Sequence, residues 1–330
     1  MLGKNDSEIG TLAAVGPAAS PPASKYDRLI ARAKEVPAAA TIVAYPCEET
    51  ALRGPIEAAE TGIIVPVLVG PKAEISNVAR KHGLDIGRYQ IVDVPDSEAA
   101  AAKSVELIRE SKGEILMKGS LHTDELMREV ASSKTGLRTA RRISHVFIMD
   151  VPGHAETLFI TDAAINIFPD LDAKHDIVQN AIDLFTYAGL GTPRVAILSA
   201  VETVTTKIPS TIEAAALCKM ADRRQITGGL LDGPLAFDNA VDPEAAKIKG
   251  ITSEVAGDPD ILLAPDLEAG NMVAKQLSFL ANADSAGLVL GARVPVILTS
   301  RADSVMTRLA SCAVAMLVAR ARQAAGLIEG

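Results

Sequence analysis

The 330-residue sequence contains no tryptophan, few other aromatic residues and only three cysteines. Aromatic residues make up 3% of the chain, which argues against a surface that stacks the bases of single-stranded nucleic acid. Cys47, Cys218 and Cys312 are odd in number, far apart and outside any CxxC pair. This pattern is typical of reduced cytoplasmic thiols and argues against a disulfide framework or a cysteine zinc site.

Long apolar runs are also missing. No uninterrupted run approaches the roughly 20 residues that span a bilayer, so we expect no membrane partner. Residues 1–24 are rich in Ala, Pro, Gly and Ser and lack the apolar segment of a signal peptide. We expect a flexible N-terminal tail at 1–24 and a cytoplasmic protein.

Positive charge is scarce, with 33 Lys and Arg residues against 41 Asp and Glu residues and a formal net charge of -8. Such a chain repels polyanions at long range, so a nucleic-acid partner is not expected. A small anionic substrate remains compatible with this charge. Clustered arginines create a local positive pocket, which distant charges screened over roughly 10 Å do not cancel.

The sequence is rich in apolar residues, at 48%, and most of them are small or aliphatic. From residue 41 onward, short β-branched runs alternate with longer amphipathic or Ala-rich runs, which predicts an α/β fold with parallel strands and crossover helices. Strands are predicted at 41–45, 63–69, 89–94, 115–118, 144–149, 157–161, 195–201, 226–231, 261–264, 288–290 and 296–298. The clearest helices are predicted at 97–110, 172–188, 209–222, 271–281 and 302–322. In the last of these, Val305, Leu309, Cys312 and Met316 line one face, which we expect to be core.

The length favours two domains, because single hydrophobic cores stop growing at about 250 to 300 residues. The strand-like run 141–150 suits a crossing between domains, and the Gly/Pro break at 291–295 suits a return. We therefore predict a first α/β domain at 25–145 plus 295–330 and a second α/β domain at 146–294.

One strand-to-helix turn carries the most chemistry: Val296-Ile297-Leu298-Thr299-Ser300-Arg301-Ala302-Asp303. Ligands of parallel α/β sheets bind outside the carboxyl ends of the strands, where this turn is expected to lie. A helix start and the guanidinium of Arg301 together favour an anion. The alternative is plain helix capping, since Ser300 and Asp303 are also ordinary N-cap and first-turn residues.

The Ser-Arg pair after a Pro-Val-Ile strand resembles the active-site turn of the phosphate acetyl/butyryltransferase family. Six further segments resemble that family in its order along the chain: Lys118-Gly119-Ser120-Leu121-His122-Thr123, Ser144-His145-Val146-Phe147, Thr161-Asp162-Ala163-Ala164-Ile165-Asn166, Leu198-Ser199-Ala200-Val201-Glu202, Asp232-Gly233-Pro234-Leu235-Ala236-Phe237-Asp238 and Pro265-Asp266-Leu267-Glu268-Ala269-Gly270-Asn271. The likeness runs from about residue 120 to the C-terminus and is weaker before it.

The resemblance implies a two-lobed fold similar to isocitrate and isopropylmalate dehydrogenases, with parallel-rich sheets and a cleft between domains. It implies a homodimer or higher homo-oligomer and transfer of a short acyl group between coenzyme A and phosphate, acetyl first, with propionyl or butyryl close behind. Coenzyme A and acyl-CoA are then substrates, and no tightly bound cofactor is expected.

The resemblance also assigns site residues. It implies catalytic roles for Ser300 and Arg301, and substrate-binding roles for Arg109, Arg128 and Thr123. The alternative for Arg109 and Arg128 is that each is a solvated arginine on a helix surface.

One position departs from the family pattern. Acetyltransferases of this family carry an aspartate two turns into the final helix, where this chain has Thr307, and this resembles the butyryltransferase side. Asp303 is the nearest acid and is the candidate general base.

Other residues carry weaker signals. Gly233 and Pro234, beside a predicted strand end, are candidates for contact with the coenzyme backbone, or serve only a turn. The five histidines show no metal-ligand spacing, so no metal is expected, and His145 is predicted to be a hydrogen-bonded core residue.

Two other functions remain open. The segment Ala256-Gly257-Asp258-Pro259-Asp260-Ile261 is superficially similar to the nucleotide segment of metal- and NAD-dependent decarboxylating dehydrogenases. A non-catalytic coenzyme-A-binding module is the third possibility.

Overall fold

The structure is a computed structural model that describes residues 24–298 and 304–326. In these residues, eleven strands form one sheet in the order β3-β2-β1-β4-β11-β10-β5-β6-β9-β7-β8. The strands are β1 (Ala39–Ala44), β2 (Ile64–Gly70), β3 (Gln90–Asp93), β4 (Ile115–Lys118), β5 (Ser144–Asp150), β6 (Leu158–Thr161), β7 (Arg194–Leu198), β8 (Leu230–Leu235), β9 (Ile261–Leu263), β10 (Asp284–Leu290) and β11 (Val296–Ile297).

Eleven helices of the described residues flank the sheet. They are α1 (Tyr26–Ala33), α2 (Glu49–Glu60), α3 (Lys72–Lys81), α4 (Ser97–Arg109), α5 (Thr123–Val130), α6 (Leu171–Tyr187), α7 (Pro209–Asp222), α8 (Phe237–Val241), α9 (Pro243–Ile248), α10 (Leu267–Leu280) and α11 (Val305–Ala324). None of the helices built from these residues is long and apolar enough to cross a membrane.

The sheet is mixed. Strands β3, β2, β1, β4 and β11 run parallel to one another and form what we call the first flank, and β6, β9, β7 and β8 form a parallel second flank. The central strands differ, because β10 pairs antiparallel with both β11 and β5, and β5 pairs antiparallel with β6. The expectation of an α/β fold is confirmed. The expectation of parallel strands holds for the flanks and is wrong at the centre.

The edge strand β8 shows why one predicted boundary is wrong. The prediction put this strand at 226–231, but it runs from Leu230 to Leu235 and includes Pro234. Because β8 has a partner on one side only, a proline without an N–H group is tolerated there.

The middle of helix α11 is buried on all sides and not only along one face. Its residues from Ala310 to Ala319 are all buried, whereas Val305 is 44% exposed, so the one-sided prediction is wrong at that end. The helix packs against α1, α2, β10 and α6, and its small side chains permit these close approaches.

Tyr26 ties α1 to the centre of the sheet. Its buried hydroxyl donates to the carbonyl oxygens of Ile148 (2.6 Å) and Asp284 (2.9 Å) and accepts from the N–H of Ala286 (3.1 Å). Burial raises the pKa of this phenol, so it remains protonated. One of these hydrogen bonds holds α1 to β5, and the other two hold it to the start of β10, which borders the site described next.

Candidate active site

A cavity of about 850 Å³ lies over the centre of the sheet. Its wall is built from the loop between β4 and α5, one face of β5 and β10, helix α10 and the junction of β11 with α11. Leu298, which follows β11, and Ser304, which precedes α11, both line it. The predicted residues Ser300, Arg301 and Asp303 lie between these two positions and outside the described residues.

The start of α11 is capped by Ser304. Its Oγ accepts a hydrogen bond from the N–H of Thr307 (3.1 Å). Because the cap is Ser304, helix capping of α11 does not account for Ser300, which stands four residues earlier.

Asp284 brings a carboxylate to the same helix start. It lies at the first position of β10 and lines the cavity, and its Oδ1 atom is 3.3 Å from the hydroxyl of Thr307 and 3.4 Å from that of Ser304. The hydroxyl of Thr307 is thus oriented by an acid that is 23 residues distant in sequence. Sequence reasoning missed Asp284, since only the pairing of β10 with its neighbours brings it to α11.

The loop after β4 supplies a cation and a helix start. The ammonium group of Lys118 lines the cavity and donates to the carbonyl oxygens of Gly119 (3.0 Å) and Leu121 (3.2 Å). A Cβ on Gly119 would lie 2.4 Å from the carbonyl oxygens of Ala44 and Tyr45, so glycine permits this close approach to the end of β1. Beyond this loop α5 begins.

The predicted substrate-binding residue Thr123 lines the cavity at the start of α5. The N-cap residue of α5, His122, makes no capping hydrogen bond with its side chain. The first N–H groups of α5 therefore add partial positive charge to that side of the wall.

His145 lies on β5, lines the cavity and is 2% exposed. Burial lowers the pKa of its imidazole to about 4, against the opposing charge of Asp162, so the ring is neutral at pH 7. Its buried Nδ1 atom hydrogen-bonds to none of the described residues. A Cβ on Gly287 would lie 2.9 Å from Nε2, so glycine on β10 leaves room for the ring. The prediction of a core histidine is correct, but the prediction that its ring is hydrogen-bonded is wrong for Nδ1.

The comparisons with known proteins agree with this architecture. The sequence matches the family described as "Phosphate acetyl/butaryl transferase" over residues 97–316, which is most of the chain. The chain belongs to this family. The resemblance inferred from the sequence motifs is therefore confirmed, and with it the expectation of an acyltransferase enzyme.

Two sequence relatives and one solved structure are similar to this chain. The chain is 75% identical to a phosphate acetyltransferase of Rhizobium meliloti over 92% of this chain and 96% of that protein. It is 43% identical to a phosphate butyryltransferase of Clostridium beijerinckii, with coverage of 89% and 97%. A branched-chain phosphotransacylase from Enterococcus faecalis has a similar structure, with a TM-score of 0.73, 28% identity and coverage of 85% and 98%.

Two predicted arginines lie away from the cavity of this family member. Arg109 is exposed in the last turn of α4, beside the amino end of β4, whereas the cavity lies at the carboxyl end of that strand. The side chain of Arg128 is 65% exposed on α5 and lies 3.9 Å from Asp124. Neither is among the cavity-lining residues, so their positions favour the alternative of a solvated helix surface.

Gly233 and Pro234 also lie elsewhere, within the edge strand β8. A Cβ on Gly233 would approach the carbonyl oxygen of Ile197 to 2.7 Å, so glycine is needed there for packing against β7. The structure accounts for this residue without a coenzyme contact.

The three thiols add no chemistry at the cavity. Burial raises the pKa of Cys47, Cys218 and Cys312 to about 12, and none of them lines the cavity. Within the described part of the chain, no cluster of His, Cys, Asp and Glu could hold a metal ion.

Proposed function

We propose that this protein transfers an acetyl group between coenzyme A and inorganic phosphate. The observation that carries the proposal is 75% identity over 92% of the chain with a phosphate acetyltransferase. The cavity at the start of α11 is the proposed site, since it joins cations, hydroxyls and a helix start in one place. Propionyl and butyryl remain the second candidates, because butyryltransferases are also relatives.

We infer that the reaction proceeds by direct attack. An oxygen of phosphate attacks the thioester carbonyl carbon, a tetrahedral species forms, the carbon–sulfur bond breaks, and the coenzyme leaves as a thiolate that then takes up a proton. A covalent acyl-cysteine is disfavoured, because burial holds the pKa of all three thiols near 12 and keeps them protonated.

Arg301 is proposed to bind phosphate, and Ser300 to donate a hydrogen bond to the oxygen on which negative charge develops. Their neighbours Leu298 and Ser304 line the cavity, which supports this assignment. Lys118 and Lys275, which also line it, offset the repulsion between phosphate and coenzyme. Arg109 and Arg128 were the sequence-based candidates for the phosphate site, and their positions give them no support.

In the reverse direction the coenzyme thiol must lose a proton, and a free thiol has a pKa of about 8.5. Asp303 is the base that the sequence predicts. Asp284 is a second candidate, because it lines the cavity and contacts Thr307. By the family resemblance, Thr307 occupies the position at which acetyltransferases carry an aspartate.

The finer architecture is also proposed. The two flanks of the sheet are compatible with the predicted domains, 25–145 plus 295–330 and 146–294, as two lobes of an isocitrate-dehydrogenase-like fold with the cavity in the cleft.

The predicted cytoplasmic location is supported by three free cysteines.

A homodimer is proposed on the basis of five exposed apolar side chains. Ile167, Phe168, Met272, Phe279 and Leu280 are all at least 60% exposed. They lie on α10 and on the segment before α6, which meet where the N–H of Leu267 donates to the carbonyl of Ile167 (3.1 Å). We call these five residues the α10 surface.

The function is tested with purified protein by phosphate-dependent release of coenzyme A from acetyl-, propionyl- and butyryl-CoA. We expect the highest kcat/KM with acetyl-CoA, and losses of about 10²- to 10³-fold in Ser300→Ala and Arg301→Ala. Arg128→Ala is the control and should keep the wild-type rate. Absence of phosphate-dependent release with every acyl-CoA would reject the function, and near-native rates in either site variant would remove that residue from the mechanism.

A further inference from the structure

A second cavity, of about 860 Å³, lies at the opposite edge of the first flank. It is bordered by the segments that precede β4 and β11, by α6 and by the last turns of α11. The proposed active site, by contrast, lies at the carboxyl ends of β4 and β11. The two cavities are therefore separate, and the proposed function gives this one no role.

The wall of this cavity is positively charged, although the chain as a whole carries a formal charge of -8. It contains four cationic side chains and two carboxylates, namely Lys112, Arg141, Arg293, Arg322, Glu114 and Asp183. Both carboxylates already have partners, since Asp183 accepts from Arg141 (2.9 Å) and Glu114 pairs with Arg320. Lys112 pairs with Glu110 (2.7 Å), which lies outside the wall, so the charges that remain are those of Arg293 and Arg322.

Two of the guanidinium groups form no ion pair within the described residues. Arg322 donates to the carbonyl oxygen of Ala292 (3.1 Å) and forms no ion pair with any residue of 24–298 or 304–326. Arg293 likewise makes no side-chain ion pair within those residues and is exposed toward the cavity opening.

Arg322 is the more telling of the two, because it is half-buried. Burial lowers the pKa of Arg322, whereas nearby Tyr187 and Asp183 raise it and the positive charge of Arg141 lowers it. Burial remains the largest of these effects, so a bound anion would stabilise the charge of this half-buried side chain.

The remaining wall suits a small molecule rather than a bare ion. The ring of Tyr187 lines the cavity beside Arg322, and the hydroxyl of Thr139 is held by the carbonyl of Gly291 (2.7 Å). A volume of about 860 Å³ lies within the range of roughly 300 to 1,000 Å³ usual for small-molecule sites.

We propose that this cavity binds a small anion carrying at least two oxyanion groups, with Arg322 and Arg293 as its main ligands. The guanidinium fork matches the oxygens of a phosphate or a carboxylate, so both classes share this chemistry. The proposal does not depend on the acyl-transfer reaction.

The test combines titration calorimetry and thermal unfolding of the full chain without magnesium. Pyrophosphate and citrate are the two probes. We expect one molecule bound per chain at this site, a thermal midpoint that rises with probe concentration, and weaker binding at high salt. The tighter of the two probes assigns the ligand to the phosphoryl or the carboxylate class.

Variants locate the binding. Arg322→Met and Arg293→Met should each weaken binding of the tighter probe about tenfold or more, because each removes charge-assisted hydrogen bonds. Arg80→Met, an exposed arginine on α3, is the matched control and should bind as the wild type does. Arg301→Ala should also retain binding, which separates this cavity from the proposed active site.

The proposal is overturned if neither probe binds at millimolar concentration, or if either cavity variant binds with wild-type affinity. Should Arg322→Met fail to fold, Arg293→Met decides alone, because its exposed side chain is not needed for packing. Loss of acyl transfer has no bearing on this outcome.

Discussion

At the scale of single residues, the proposed site depends on side chains that only the folded sheet brings together. Asp284 begins β10, and Thr307 lies in the first turn of α11, yet their oxygens are 3.3 Å apart. The family resemblance implied Ser300 and Arg301, which lie outside the described residues, and Thr123, which lines the cavity. It missed Asp284, His145 and Lys118, because strand pairing and not chain proximity places the first two at the cavity.

The two carboxylate candidates for the general base can be separated by substitution. Asp284→Asn should lower the rate of acyl-CoA formation from acyl phosphate by about 10²-fold or more if Asp284 accepts the thiol proton. Raising the pH should then restore part of the rate, as hydroxide ionises the thiol. Asp303→Asn is assayed in parallel by initial rates between pH 6 and 9. A near-native rate in Asp284→Asn would leave Asp303 as the candidate.

His145 should make the fold sensitive to acid. Its pKa is about 4 in the folded protein and about 6.5 in the unfolded chain, so below pH 6.5 the unfolded state binds a proton that the folded state does not. The free energy of unfolding should therefore fall as the pH falls from 6.5 to 4, by on the order of 2 kcal/mol between pH 7 and pH 5.

Urea unfolding of His145→Gln at pH 7 and pH 5 measures this contribution. The variant should lose less stability over that interval than the wild type. His122→Gln, which changes an exposed histidine before α5, is the control and should keep the wild-type difference. An unchanged pH dependence in His145→Gln would show that its imidazole is not the acid-sensitive group.

At the scale of helices and strands, the start of α11 links stability to the site. Ser304→Ala removes the cap of α11 and should lower the free energy of unfolding by about 1 kcal/mol. It also frees the N–H of Thr307 and removes a hydroxyl near Asp284, so we expect a higher KM for phosphate. Urea unfolding and steady-state kinetics measure the two effects.

Asp170→Ala is the matched variant, because Asp170 caps α6 by accepting from the N–H of Ala173 (2.8 Å) away from the cavity. It should cost similar stability and leave KM unchanged. If both variants alter KM equally, the effect reflects stability and not the position of α11.

The pattern of elements was largely readable from the sequence, and strand direction was not. Every predicted strand overlaps an observed strand, and the predicted helix 209–222 coincides with α7. Alternation of apolar residues reports which side of a strand is buried, but it is the same for parallel and antiparallel pairing. The antiparallel centre of the sheet was therefore missed.

Helix starts were less predictable where the cap lies outside the apolar pattern. Helix α10 begins at Leu267, four residues before its prediction, because Asp266 accepts a hydrogen bond from the N–H of Ala269 (2.9 Å). The apolar periodicity marks the part of a helix that is packed, whereas a side-chain cap determines where the helix starts.

At the scale of the whole molecule, one sheet carries two cavities at opposite edges of its first flank. The formal charge of -8 describes the whole chain, and it concealed the positive wall around Arg322 and Arg293. Those residues come from the end of α11 and from the segment before β11, which are distant in sequence from the other cations of the wall. Local charge therefore has to be read from the folded structure.

The α10 surface makes the last prediction. Phe168 and Phe279 are 78% and 81% exposed, and large exposed apolar side chains on neighbouring elements are typical of an interface. Sedimentation equilibrium should give a homodimer for the wild type, and Phe168→Glu should shift it toward monomer, since a charge buried without a partner at an interface is costly. Ile248→Glu, which changes an isolated apolar side chain that is 83% exposed on α9, should remain dimeric. A monomeric wild type, or a Phe168→Glu variant as dimeric as the wild type, would mean that this surface does not hold two copies together.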